Sequence, residues 1–127
     1  MFELLRFNTR FFRARLKEIR GDYQGAAVLL ESGPIPQRFR SLNDSYRLRM
    51  LVLANAPERG LEIIDAAEEL SWFREPKSSG DRYARDYCRY VAAAVRGDAA
   101  QRKKWAQELD RHAVKRIYRN ALLVTLN

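Results

Sequence analysis

Arginines recur at matched intervals along this chain. When the sequence is shifted by 34 residues and then by a further 42, Arg6, Arg40 and Arg82 superimpose, and so do Arg13, Arg47 and Arg89; the first shift also sets Arg15 on Arg49. A guanidinium is planar, permanently charged and forked, so such rows suit carboxylates or phosphates that can be gripped bidentately. That is binding chemistry rather than bond-making chemistry. The plainer expectation for many of these side chains is pairing with nearby acids such as Asp44, Asp81 and Asp86, or solvation at the surface.

Bond-making groups are sparse. His112 is the only histidine and Cys88 the only cysteine, and no ligand spacing surrounds either. The chain carries no phosphate-binding loop, no dinucleotide glycine fingerprint and no HExxH. An acidic row, Glu58, Glu62, Asp65 and Glu69, reads as a solvated or contacting face rather than a metal site. The expectation is a protein that is not an enzyme, with no cofactor and no bound metal. Tyr83, Tyr87 and Tyr90 fall at i, i+4 and i+7. That spacing describes a core stripe with polar tips, or, beside Arg82, Arg85 and Arg89, a wall that could grip a peptide or stack on bases.

Bulk composition narrows the partner class. The net charge is +8 over 127 residues, with 46% hydrophobic and 31% charged residues, as in an ordinary globular domain. A basic excess favours an acidic partner: a protein segment, nucleic acid or an anionic membrane surface. The charge is uneven, with six basic residues against Glu3 and Glu18 in residues 1–20. No apolar run approaches the roughly 20 residues that span a bilayer. A single cysteine forms no internal disulfide, which fits a cytoplasmic setting.

The elements that must position these groups read as helices. Breakers cluster at Gly33-Pro34-Ile35-Pro36, Asn55-Ala56-Pro57 and Glu75-Pro76-Lys77-Ser78-Ser79-Gly80, and alternating β-branched stretches are nearly absent. Six or seven helices are expected. The first, about 2–20, has two apolar strips. Phe2, Leu5, Phe12, Leu16 and Ile19 are expected to pack on the next helix, whereas Leu4, Phe7 and Phe11 lack an evident cover and suit a partner or a second subunit. Residues 40–54 are apolar nearly all round, as in a central buried helix. Residues 57–73 and 81–96 form further helices, another begins after Gly97, and a closing helix is expected at about 113–126.

The tripeptide Arg-Gly-Asp occurs twice, at 20–22 and 96–98, and the shifts explain it. Gly21, Asn55 and Gly97 superimpose, each where a helix should end in a left-handed residue, and Asp22 and Asp98 follow as caps of the next helix. Here Gly21-Asp22-Tyr23-Gln24-Gly25-Ala26 resembles a tetratricopeptide-type repeat, which has a G-x-Y-x-x-A core at this turn and a period of about 34. Ala14 and Ala67 match small positions of that family, while Arg13, Leu48 and Arg102 depart from its pattern. The resemblance implies an all-α, right-handed stack of antiparallel helix pairs in a single domain over 1–127. Its units are about 2–36, 37–75 and 81–112, followed by the closing helix.

A stack of this kind implies a non-catalytic adaptor or chaperone-like module that holds an acidic or amphipathic segment of another protein. The residues expected on that surface are Phe11, Arg15, Arg49, Arg82, Tyr87 and Arg89. Leu4, Phe7 and Phe11 are expected to support partner contact or a homodimer. The competing reading is a nucleic-acid or anionic-surface binder using the same arginine rows.

Overall fold

In the computed structural model, which describes residues 2–112, the chain is all-helical. The described residues form α1 (Phe2–Ile19), α2 (Tyr23–Leu29), α3 (Arg40–Leu53), α4 (Leu61–Glu68), α5 (Ser71–Arg74), α6 (Ser79–Arg96) and α7 (Ala99–Arg111). Short 3-10 turns at Gln37–Phe39 and Pro57–Gly60 lead into α3 and α4. The closing helix expected at about 113–126 lies outside the described residues. The stretch expected as one helix over 57–73 is instead broken. Leu70 takes an extended backbone with ψ 151° and turns the chain out of α4, and α5 begins anew at Ser71.

Three turns share one construction. Gly21, Asn55 and Gly97 have φ of 80°, 61° and 73°. In each, the following residue donates its N–H to the carbonyl five residues back: Asp22 to Lys17, Ala56 to Leu51 and Asp98 to Ala93. This left-handed closure satisfies carbonyls that a helix end would otherwise leave bare, and glycine and asparagine adopt it at the least steric cost. The two aspartates then cap the next helix: Asp22 accepts from the Gly25 N–H and Asp98 from the Gln101 N–H. The Gly25 N–H holds the Asp22 carboxyl below its ordinary pKa, with help from Lys17. Both Arg-Gly-Asp copies are turns between packed helices.

Packing follows chain order except that α3 packs chiefly on α6, past the short α4 and α5. α1 meets α2, α2 meets α3, α3 meets α6, and α6 meets α7. α3 is buried on most of its surface and feeds two cores. Tyr46, Met50 and Leu51 join Ala14, Ala26, Leu30 and Ile63 on one side. Leu48 and Val52 join Ile64, Tyr83, Tyr87, Val91 and Leu109 on the other. α3 also carries polar groups inward. The Ser41 hydroxyl donates to Asp81 at 2.7 Å, and the Asn43 amide donates to the Leu30 carbonyl at 3.4 Å, tying α3 to its neighbours. Asp44 is buried beside Arg40; burial raises its pKa, opposed by Arg40 and Arg47.

The turn register also pairs residues within each unit. Ala14 and Ala26 correspond to Leu48 and Gly60, and these to Tyr90 and Arg102. In the first unit two fully buried alanines allow close approach. In the second the large member is Leu48 and the position opposite is glycine: a Cβ on Gly60 would meet Leu48 Cδ1 at 2.2 Å. In the third, the Arg102 guanidinium lies 5.9 Å from the Tyr90 ring centroid. Gly60→Ala is therefore expected to cost about 1–3 kcal/mol by overpacking. Leu48→Ala removes a buried side chain and costs more by itself, but the double variant should be less destabilised than the sum of the two single ones, because each change relieves the other, as denaturant titration of the three variants would show.

The two strips of α1 are disposed opposite to the expectation. Phe7 is buried and Leu4 and Phe11 half-buried on the inward face, continued by Ala14 and Glu18. Phe7 stacks on Phe39 at 5.3 Å, and Phe11 meets Tyr46 at 4.9 Å. The strip that was expected to pack on the next helix faces outward, with Phe2, Leu5, Phe12, Leu16 and Ile19 between 38% and 79% exposed. Ala14 permits close approach and Glu18 answers a buried arginine across the interface. That is what turns this side inward.

Candidate partner-binding surface

Three of the six residues expected on a binding surface lie together, and the other three are placed apart. Arg15 and Arg49 converge between α1 and α3 on one carboxylate, Glu18, and Phe11 packs nearby against Tyr46. Arg15 Nη1 donates to Glu18 Oε1 at 3.0 Å, Arg49 Nη1 lies 3.0 Å from Oε2, and the Tyr46 hydroxyl donates to Oε1 at 2.6 Å. The Arg49 side chain is nearly buried. Burial and Glu18 together push the Tyr46 phenol well above its ordinary pKa. Arg49 is thus engaged within the fold, whereas Arg15 retains exposed surface. Arg82 is exposed at the start of α6, and Tyr87 is wholly buried in the second core, so it offers no surface to a partner.

Around Arg89 the picture differs. Its guanidinium lies 4.7 Å from the Trp105 ring centroid and 5.4 Å from that of Phe73, with Asp86 Oδ1 at 3.7 Å. Cation–π contact on two rings fixes the head group while part of it stays open. Burial and neighbouring Arg85 lower its pKa, opposed by Asp86 and Glu68; arginine starts so high that it remains a cation at neutral pH.

Two cavities adjoin there. One, about 480 Å³, is lined by Glu68, Phe73, Arg74, Arg85 and Arg89. The other, about 250 Å³, includes Glu68, Arg89, Arg96, Asp98 and Trp105. Sharing Glu68 and Arg89, they make one trough along α6. Its cations Arg85, Arg89 and Arg96 occupy one helical stripe at i, i+4 and i+11. The spacing of that stripe was legible in the sequence. Phe73 and Trp105, which complete the trough, come from α5 and α7, and nothing local to α6 announces them.

Arg6, Arg13 and Arg82 of the rows are exposed, whereas several other arginines are tied to acids. Arg40 pairs with Asp44, Arg47 with Glu31 at 4.0 Å, and Arg85 with Asp86 at 3.3 Å. Asp81 takes the Ser41 hydroxyl and the Lys77 N–H. A further cavity of about 730 Å³ opens between the turn into α3 and the link from α5 to α6, lined by Ile35, Arg38, Arg40, Trp72, Lys77 and Asp81 among others. It mixes both signs of charge.

Groups with bond-making capacity are placed structurally. The Cys88 thiol is fully buried, and burial with the nearby carboxylates raises its pKa far above the ordinary value, which suppresses the reactive thiolate. His112 Nε2 contacts Asp86 Oδ2 and its ring packs against the Tyr83 edge, fastening the end of α7 to α6. Among the described residues no group of three His, Cys, Asp or Glu side chains is placed to hold a metal ion, and no helix is long and apolar enough to cross a membrane. No family model matches the chain, and no curated protein or solved structure does either.

Proposed function

We propose that the chain is a non-catalytic, tetratricopeptide-like interaction module: a right-handed stack of antiparallel helix pairs that holds an acidic or amphipathic segment of a partner protein, as an adaptor or chaperone would. The repeat reading rests on the three equivalent left-handed turns and on the matched pairs Ala14/Ala26, Leu48/Gly60 and Tyr90/Arg102. The observation that carries the binding role is the trough along α6. There Arg89, clamped between Phe73 and Trp105, stands in line with Arg85 and Arg96. Preorganised guanidinium groups lose little conformational freedom when they engage carboxylates, and the aromatic walls give an accompanying apolar side chain something to pack on. Glu68 and Asp98 within the same trough favour a peptide with mixed polarity over a continuous phosphate backbone.

The test is capture of partners by the tagged chain, with nuclease present and salt rising. Arg85→Gln with Arg96→Glu leaves the Arg89 clamp in place, adds no carboxylate beside buried Asp86 and lowers the positive charge of the trough. Stoichiometric protein capture that persists in salt and drops at least about tenfold in the double variant, a change of about 1.4 kcal/mol, is the expected result. Equal capture by the variant would remove the trough from the account. Recovery of nucleic acid alone, with the steep salt dependence of phosphate binding, would replace the protein partner with a polyanion.

A further inference from the structure

The outward face of α1 is an apolar seam left exposed among the described residues. Phe2, Leu5, Thr9, Phe12, Leu16 and Ile19 follow one another at alternating steps of three and four, and the five apolar members are all exposed. Thr9 donates its hydroxyl to the Leu5 carbonyl at 2.9 Å, so its polar group is satisfied within the helix. The spacing is that of the core positions of a coiled coil, and over the 18 residues of α1 the seam runs about 25 Å. Beside it, at seven-residue steps, stand Arg6, Arg13 and Arg20, exposed and without an ion pair among the described residues. The other flank carries Asn8 and Arg15.

We infer that this face docks an amphipathic helix of a different protein, one whose apolar seam is flanked by glutamate or aspartate. A seam two positions wide per heptad accepts one helix by knobs-into-holes packing; it is narrower than the broad apolar arc with which a helix lies on a lipid surface. The flanks choose the sign of the partner, because charges beside a coiled-coil seam set which helices pair.

Candidates within the chain itself have the wrong chemistry. A second α1, in either direction, sets arginine against arginine. Residues 113–127 bring Lys115, Arg116 and Arg119 and no acid. The acidic row on α4 has the right charge, but its exposed face offers nothing apolar beyond Ala66. This inference stands apart from the trough on α6, which uses none of these residues.

The full-length chain would be titrated into a labelled three-heptad peptide with leucine at both seam positions and glutamate on both flanks. A second peptide has lysine on the flanks, and mixed phosphatidylserine–phosphatidylcholine vesicles provide a third probe. Binding of the glutamate peptide at least about tenfold tighter than the lysine peptide is expected. Leu5→Ser with Phe12→Ser should abolish it with the melting temperature unchanged, since both side chains are exposed. Arg6→Glu, Arg13→Glu and Arg20→Glu together should invert the peptide preference, and the trough variant Arg85→Gln/Arg96→Glu should bind as the parent does.

Four outcomes would overturn the inference: binding of neither peptide; binding of the vesicles without the glutamate peptide; dimerisation that the serine pair abolishes; or a melting temperature lowered by the serine pair, which would mean that the chain covers this face itself.

Discussion

Tyr87→Ala is expected to lower folding stability by about 4 kcal/mol, seen as an earlier denaturant midpoint with little change in slope. Tyr87 has no exposed surface and lies among Leu48, Ile64, Tyr83, Val91 and Leu109, where α3, α4, α6 and α7 meet. Truncation there removes the buried ring and leaves a cavity that helices on several sides cannot all close. A domain of this kind has roughly 5–15 kcal/mol in total, so the variant stands close to unfolding. Arg82→Ala, on the same helix but exposed, should stay within about 0.5 kcal/mol of the parent. The pair separates the two roles open to the tyrosine stripe at 83, 87 and 90. A tyrosine gripping a partner would lose binding and keep its melting temperature; a core tyrosine does the reverse.

What could be read in the sequence and what could not divide along a physical line. Gly21, Asn55 and Gly97 were legible because a left-handed turn is a local steric demand, met by few residue types, and each copy supports the others. Asp22 and Asp98 were legible for a similar reason: a cap bonds to a backbone group three residues away. The orientation of α1 was not, because its two apolar strips satisfy the helical period equally well. What separates them is Ala14 and Glu18, and their meaning depends on α2 and α3: a small side chain where helices approach closely, and an acid opposite Arg49.

The arginine rows show the same division. Their register was visible, but most of their members spend their charge on Glu18, Glu31, Asp44 or Asp86, and two of these acids, Glu18 and Glu31, lie on segments distant in sequence from the arginines they meet. Of the arginines in the rows, Arg89 alone among the described residues is held by aromatic neighbours at an open cavity, and those neighbours lie 16 residues to either side. The break at Leu70 left no glycine or proline signal at all, and it is this break that sets α5 and Phe73 where the trough needs them.

Glu18→Gln should cost about 3 kcal/mol, the second large effect, for a reason unlike that at Tyr87. The side chain is nearly isosteric, so no cavity forms. What is lost is the counter-charge of Arg49, whose side chain is only 10% exposed and whose Nε finds no acceptor among the described residues. A cation left in that position keeps its desolvation cost without the compensating carboxylate. The Tyr46 hydroxyl can still donate to the amide oxygen, so the change isolates the charge. Arg49→Met alone should cost less, because Glu18 retains Arg15 and the tyrosine hydroxyl and is closer to solvent at the α1 edge. Combining the two should recover much of the loss, with a coupling of about 1–3 kcal/mol in a double-mutant cycle. Independent costs that simply added would mean the two groups act on the fold separately. Strong coupling would mean that the two groups act as one unit across the contact of α1 with α3. That contact keeps Glu18 inward and leaves Phe2, Leu5, Phe12, Leu16 and Ile19 exposed, the seam proposed to dock a partner helix.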